Sequence, residues 1–338
     1  MISLSLEKYK DNIIKFLEKE VNSILKDQCV VKIVIESEDR LNATVEKIKD
    51  EEDKYLIRIY SGLIGGIPYI LEKYLVRLDA NDLLYFKDFN YFNFLRILDP
   101  SKYNDLSEED TRLLTLKKLF NTSILLNVVF HEIGHILSGH LQNMNLISEE
   151  NDSINTIASQ EKEMMADWYG AKILFEHIIY ISRCYEINTI NFSNAKKLLT
   201  KPLVFTTLSL YLMFNLFEGE YNFNIEELLK YKHPHPRVRL LYTLEAVREY
   251  IYDILNSFLK TTDEVIEPLV DEILREAYIY VDSFFSVIDI NNVIFDENVI
   301  KHYYLLREYP YSKQFEEDGS VHLCELQGLN IKYLKIYN

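Results

Sequence analysis

The stretch SILLNVVFHEIGHIL, residues 123–137, limits the folds open to this chain more than any other. An apolar run of this length belongs in a protein interior, yet it carries two histidines and a glutamate. Buried polar groups need partners, so the fold must bring complementary residues to this run from elsewhere. On a helix, His131 and His135 stand one turn apart on the same face with Glu132 beside them. Both imidazoles can then reach a single ion. Gly139 stands where a left-handed cap would end such a helix. The competing reading is a buried helix with two incidental histidines.

His140 lies five residues beyond His135, about 140° further around a helix, with a glycine between them. That spacing makes it a residue of the helix end, or one that supports a ligand, rather than a third ligand. The extended form HExxHxxGxxH would need histidine at 141 and glycine at 138, where this chain has Leu141 and Ser138.

A second stretch, QEKEMMADWYGAKILFEH (residues 160–177), supplies candidates for the missing partner. Met164, Ala171, Leu174, Phe175 and Ile178 recur at helical spacing. Glu163 and Asp167 are four apart on one face, so Glu163 can bind a metal while Asp167 accepts the free ring N–H of a ligating histidine. Ala166 keeps that face small enough for two helices to approach. A solvated acidic turn is the plainer alternative.

The order HEIGH, then EMMAD, then KHPHPRVRLLYTL (residues 232–244) resembles the gluzincin zinc metallopeptidases. In particular it is similar to the HtpX-like and CAAX-prenyl-protease-like group, whose pattern is HExxH, ExxAD and a downstream His-Pro with an arginine a few residues on. The resemblance covers three short motifs and neither end of the chain. It implies zinc held by His131, His135 and Glu163, Glu132 as general base, and His233 as a transition-state hydrogen-bond donor. Those membrane proteases have clear spanning helices and this chain has none of their kind. The suggested relative is therefore a soluble one, such as the Lit-like phage-exclusion peptidases, which cleave a host protein. His235 and the tyrosines are further candidates for the donor role.

The rest of the chain sets the frame. Residues 6–26 carry an amphipathic helical pattern, and residues 29–36, 42–49 and 54–61 alternate at period two. These predict a three-stranded antiparallel meander whose edge can take an extended peptide. Gly65 and Gly66 ahead of Pro68 predict a turn feeding a helix to Leu78. The fold expected is α+β and mostly helical, a zincin-like core with a small sheet on a helical body. Its organisation is 1–110 (helix and sheet), 111–258 (helical peptidase core) and 259–338 (a helical region of no derivable role). Boundaries fall near 99–110, 146–153 and 231–237.

Only 9 glycines and 7 prolines in 338 residues fit a compact helical protein. A formal charge of −16 counts against nucleic-acid backbones and anionic membranes as partners. The apolar run 203–217 is shorter than the roughly 20 residues a span needs, so it reads as a core helix. No stable membrane insertion is expected. Cys29, Cys184 and Cys324 are scattered without a CxxC pair, and the N-terminal stretch lacks an apolar signal core. A cytoplasmic protein is expected, acting on a protein or peptide substrate with zinc as cofactor. The rival classes are a catalytically silent, metal-stabilised binding protein and a helical protein without metal. Oligomeric state and specificity have no signature in the sequence.

Overall fold

The computed structural model of the protein describes residues 2–25, 29–49, 51, 53–75, 108–141, 152–182, 190–217, 228–231, 233–286 and 297–307. Helix α1 (Ile2–Leu25) buries Ile13, Leu17, Val21 and Leu25, the three- and four-residue spacing of an amphipathic helix. Three strands follow, β1 (Val30–Glu36), β2 (Ala43–Lys47) and β3 (Lys54–Tyr60).

The strands lie where the alternation places them, but they do not form an antiparallel meander. The order is β1-β3-β2, with β1 parallel to β3 and β2 antiparallel to it. Two local features account for the mixed sheet. Side chains of α1 occupy the outer edge of β1: Asn22 Nδ2 donates to Val31 O at 3.0 Å, Val31 N–H to Asn22 Oδ1 at 3.0 Å, and Ile33 N–H to Glu18 Oε1 at 2.9 Å. The link 37–42 then crosses the end of β3 instead of turning back. It is held there by Gly62 N–H and the Ser61 hydroxyl, which donate to Glu38 O at 3.1 and 2.8 Å. A Cβ at Gly62 would stand 2.6 Å from Arg40 N, so the crossing requires glycine. β3, with Tyr55, Ile57 and Ile59 buried, takes the centre. Alternation reports which face is buried and is silent on strand order and direction.

Helix α2 (Ser61–Leu75) runs unbroken through Gly65, Gly66 and Pro68, against the expected turn. Its buried residues Leu63, Ile67, Ile70, Leu71 and Tyr74 keep one face across the proline. Burial of that face offsets the hydrogen bond that Pro68 cannot make.

The helical body comprises α3 (Glu108–Leu137), α4 (Asp152–Ile181), α5 (Ala195–Leu216), α6 (Pro236–Leu259), α7 (Asp263–Ser286) and α8 (Glu297–Arg307). The molecule is thus mostly helical, with one small mixed sheet. A single apolar cluster runs from Ile13 to Val281, and Phe120 stacks on Phe205 at 4.5 Å where α3 meets α5. The run 203–217 belongs to α5, whose residues 203–214 are all buried. Among the described residues one helix is long and apolar enough to cross a membrane, Leu113–Leu137, and 67% of its apolar window is buried inside the protein. That segment carries the HExxH motif.

Helix α7 packs on α5 and α6, and α8 on α6 and α4. Of the expected boundaries, 99–107 and 146–151 lie outside the described residues, as do Cys184 and Cys324. Cys29 is a half-buried free thiol, pushed up to about 11 by burial and the nearby Asp53.

Candidate metal centre

The site exists because α3 and α4 approach unusually closely. A Cβ at Gly134 would stand 2.4 Å from Ala166 O, and one at Gly170 would stand 2.9 Å from His131 N. Gly134 on α3, with Ala166 and Gly170 one turn apart on α4, removes the side chains that would keep two helix backbones apart. The polar residues flanking these small ones are pressed together in consequence.

His131, His135 and Glu163 each offer a ligand atom, and these atoms lie within 4.8 Å of one another. Glu163 Oε2 is 3.4 Å from His131 Nε2, and Glu163 Oε1 is 3.6 Å from His135 Nε2. In a tetrahedral zinc site with bonds of about 2.0–2.1 Å, neighbouring donor atoms stand about 3.3 Å apart. The group is therefore of the right size and chemistry to hold a metal ion.

The outer nitrogens of the two histidines meet different partners. His131 Nδ1 lies 2.8 Å from Asp167 Oδ1, and Arg239 grips Asp167 through Nε at 2.6 Å and Nη2 at 2.8 Å. The Arg239 guanidinium also lies over the Phe214 ring, 5.3 Å from its centroid. His135 Nδ1 lies 2.9 Å from His140 Nδ1. That contact comes from the helix end. Gly139 takes φ 71°, its N–H bonds Ile136 O at 3.1 Å, and His140 N–H bonds His135 O at 3.1 Å. This Schellman turn folds His140 back over the residue five before it. His140 is not among the metal-binding group.

Charge is distributed unevenly over the cluster. Burial acts to raise Asp167 and Glu163, but both carboxyls are held below their ordinary range. For Asp167 the Arg239 and His131 charges outweigh burial, and for Glu163 it is the hydrogen bonds from His131 and His233. Burial acts to lower His131, and Asp167 beside it prevails, raising the imidazole to about 10. His135 is lowered to about 4 by burial and by His131. Burial pushes Glu132 up to about 7. A cation bound at His131 Nε2 would therefore have to compete with a proton there, the linkage between metal binding and ligand protonation.

These groups open onto a cleft of about 820 Å³. Residues 40–45, which include the start of β2, form one wall, and β2 is the free edge of the sheet among the described residues. Glu132, Lys162 and Arg239 also line it. His233 lines it too, its side chain 53% exposed and its Nδ1 3.1 Å from Glu163 Oε2. The two downstream histidines separate here. His235 is fully buried at the N-terminus of α6, where its Nδ1 accepts the Arg237 N–H at 3.2 Å, and it does not line the cleft. No tyrosine lines it among the described residues. His131, Glu132, His135, Glu163, Asp167 and His233 are all brought together, whereas the alternative donors are set aside.

The helix approach expected at Ala166 also requires Gly134 and Gly170, whose part in it is not foreseen above although Ala166 and Gly170 are two small residues at helical spacing and Gly134 stands inside the motif. Nor is Arg239 given a task there beyond its place in the motif. No protein-family model, curated protein or solved structure matches this chain.

Proposed function

We propose that this protein is a zinc-dependent metallopeptidase of gluzincin type with a zincin-like core, cutting peptide bonds of a protein substrate in the cytoplasm. The observation that carries this reading is the His131–His135–Glu163 group lining a cleft, with Glu132 beside it and the edge strand β2 contributing to the same lining. Two imidazoles and a carboxylate are the donor set of catalytic zinc, which keeps its fourth position open.

Zinc held by these three residues would polarise a substrate carbonyl and make water acidic enough to attack it near neutral pH. The chain's own residues do the rest. Asp167, fixed by Arg239, accepts a hydrogen bond from the His131 Nδ1–H, which keeps that proton on Nδ1 and leaves Nε2 free to bind. Glu132 removes a proton from the attacking water as the new C–O bond forms and the carbonyl becomes an oxyanion, then passes that proton to the amine nitrogen as the oxyanion collapses and the C–N bond breaks. His233, which lines the same cleft, donates to that oxyanion. The edge of β2 pairs with the extended substrate backbone and sets its direction across the cleft.

Elemental mass spectrometry of protein purified without added metal tests the premise, with His131→Ala and Glu163→Ala alongside. One zinc per chain in wild type and none in either variant is the expected result. Folded wild type that takes up no zinc on reconstitution removes the reading.

A further inference from the structure

A buried hydrogen-bond chain outside the metal group leads to His233. Gln160, on α4 three residues before Glu163, is fully buried. Its amide nitrogen donates to Leu228 O at 3.0 Å and Tyr231 O at 2.6 Å. Its amide oxygen lies 2.8 Å from His302 Nε2 on α8.

The direction of every bond in this chain follows from chemistry. Two backbone carbonyls can only accept, so the Gln160 NH2 must face them. Its Oε1 is then an acceptor, and His302 must carry its proton on Nε2. His302 is itself fully buried, and burial lowers it to about 4, so the ring is neutral. The helix bearing it is fastened on both sides. Val299 and Leu306 pack with Met164 of α4 and Val238 of α6, and the Tyr303 hydroxyl donates to Glu245 of α6.

The segment thus gripped, 228–231, ends two residues before His233. Downstream, Pro234 and Pro236 restrict the backbone and His235 caps α6. Upstream, Gln160 holds the Tyr231 carbonyl. His233 therefore sits on a short arm pinned at both ends, and its imidazole is half exposed yet meets Glu163 at 3.1 Å.

We infer that Gln160 and His302 are positioning residues for His233, with α8 as the anchor that sets this arm against the metal group. The activity half of the test rests on the peptidase reading above, and the spectroscopic half does not. The last described helix, whose His302 stands 142 residues from Gln160 in sequence, thereby becomes part of the site.

The test is a double-mutant cycle on the zinc-loaded full chain with fluorescent casein as substrate, comparing Gln160→Met, His233→Ala and the pair. Gln160→Met keeps side-chain volume and removes both donors. We expect kcat to fall about 10- to 100-fold, the scale of a misplaced group, with KM within about twofold and zinc content unchanged. The pair should be no slower than His233→Ala alone, because both act through one group. Losses that multiply in the pair, or a wild-type rate for Gln160→Met, would overturn the inference. Nitrogen-15 spectra of the histidine rings give a second readout that needs neither catalysis nor the Gln160 variant. His302→Leu should shift and broaden the His233 signals at unchanged zinc content, and His302→Gln, which retains a donor, should restore them. An unshifted His233 in His302→Leu sinks the idea even if casein is cut. Casein left intact by wild type, with His233 displaced in His302→Leu, leaves this inference standing and removes only the peptidase reading.

Discussion

Helix α4 carries enclosed carboxyls at two places, and their proton affinities are shifted in opposite directions. Near its middle, Glu163 and Asp167 are held ionised although burial acts against them, because Arg239 and the histidines face them. Nine residues on, Glu176 is half-buried, the Tyr250 hydrogen bond only partly offsets its burial, and it is raised to about 7. Both places lie on one helix, but among the described residues only the first groups with histidines that could hold a cation. Burial alone protonates a carboxyl, and charge in an interior has to be brought by neighbours from other elements. Glu132 stands between the two cases, inside the cluster but raised to about 7 by burial.

The largest effect is expected at that intermediate carboxyl. Glu132→Gln should retain the metal and lower peptide hydrolysis by about 10²- to 10⁴-fold, the usual worth of a general base. Unchanged turnover in a zinc-loaded sample would take Glu132 out of the chemistry. Next comes the cation that distinguishes the two places. Arg239→Met leaves Asp167 buried without its partner and should cost about 3–5 kcal/mol in urea unfolding, with metal affinity down about 10- to 100-fold. If stability is unaffected, Asp167 does not depend on Arg239 for its charge and the contrast with Glu176 collapses.

A smaller, pH-dependent effect is expected at the other place. The folded Glu176 carboxyl is raised above its ordinary 4.5 to about 7, so the folded state holds its proton more tightly than the unfolded state. Its contribution is complete below pH 4.5 and is lost as pH rises through about 7, amounting to on the order of 2–3 kcal/mol. Glu176→Gln should shrink that fall between unfolding curves at pH 5 and pH 8, leaving the part that belongs to Glu132, which is raised to about 7 as well. An identical fall in the variant would assign the slope to other groups. Last, Gly134→Ala should part α3 and α4 for about 1–3 kcal/mol, the range for overpacking, and weaken zinc binding. Zinc titration of the variant at wild-type affinity would show that the close helix approach is not what assembles the metal group.

How much of this was legible beforehand differs from element to element. The HExxH helix, the cap at Gly139, the pairing of Glu163 with Asp167 and the strand positions all rest on spacing within about ten residues. The strand order was not legible, because it depends on Asn22 and Glu18 of α1 and on the crossing that Gly62 admits. The run through Pro68 was misread because local punctuation gave way to burial of a face. His235 and His233 look alike in sequence, each before a proline, and only the start of α6 turns one inward and leaves the other in the cleft.

What the sequence determined by itself is the set of elements and their faces. Side-chain periodicity and backbone sterics act within a turn or two, so they leave their mark in short stretches. What the tertiary structure decided is which faces meet. Asp167 acquires its charge partner 72 residues away, and the arm bearing His233 its anchor from the last described helix. Such pairings follow from the packing of whole faces against one another, a property of the assembled interior that no local pattern encodes.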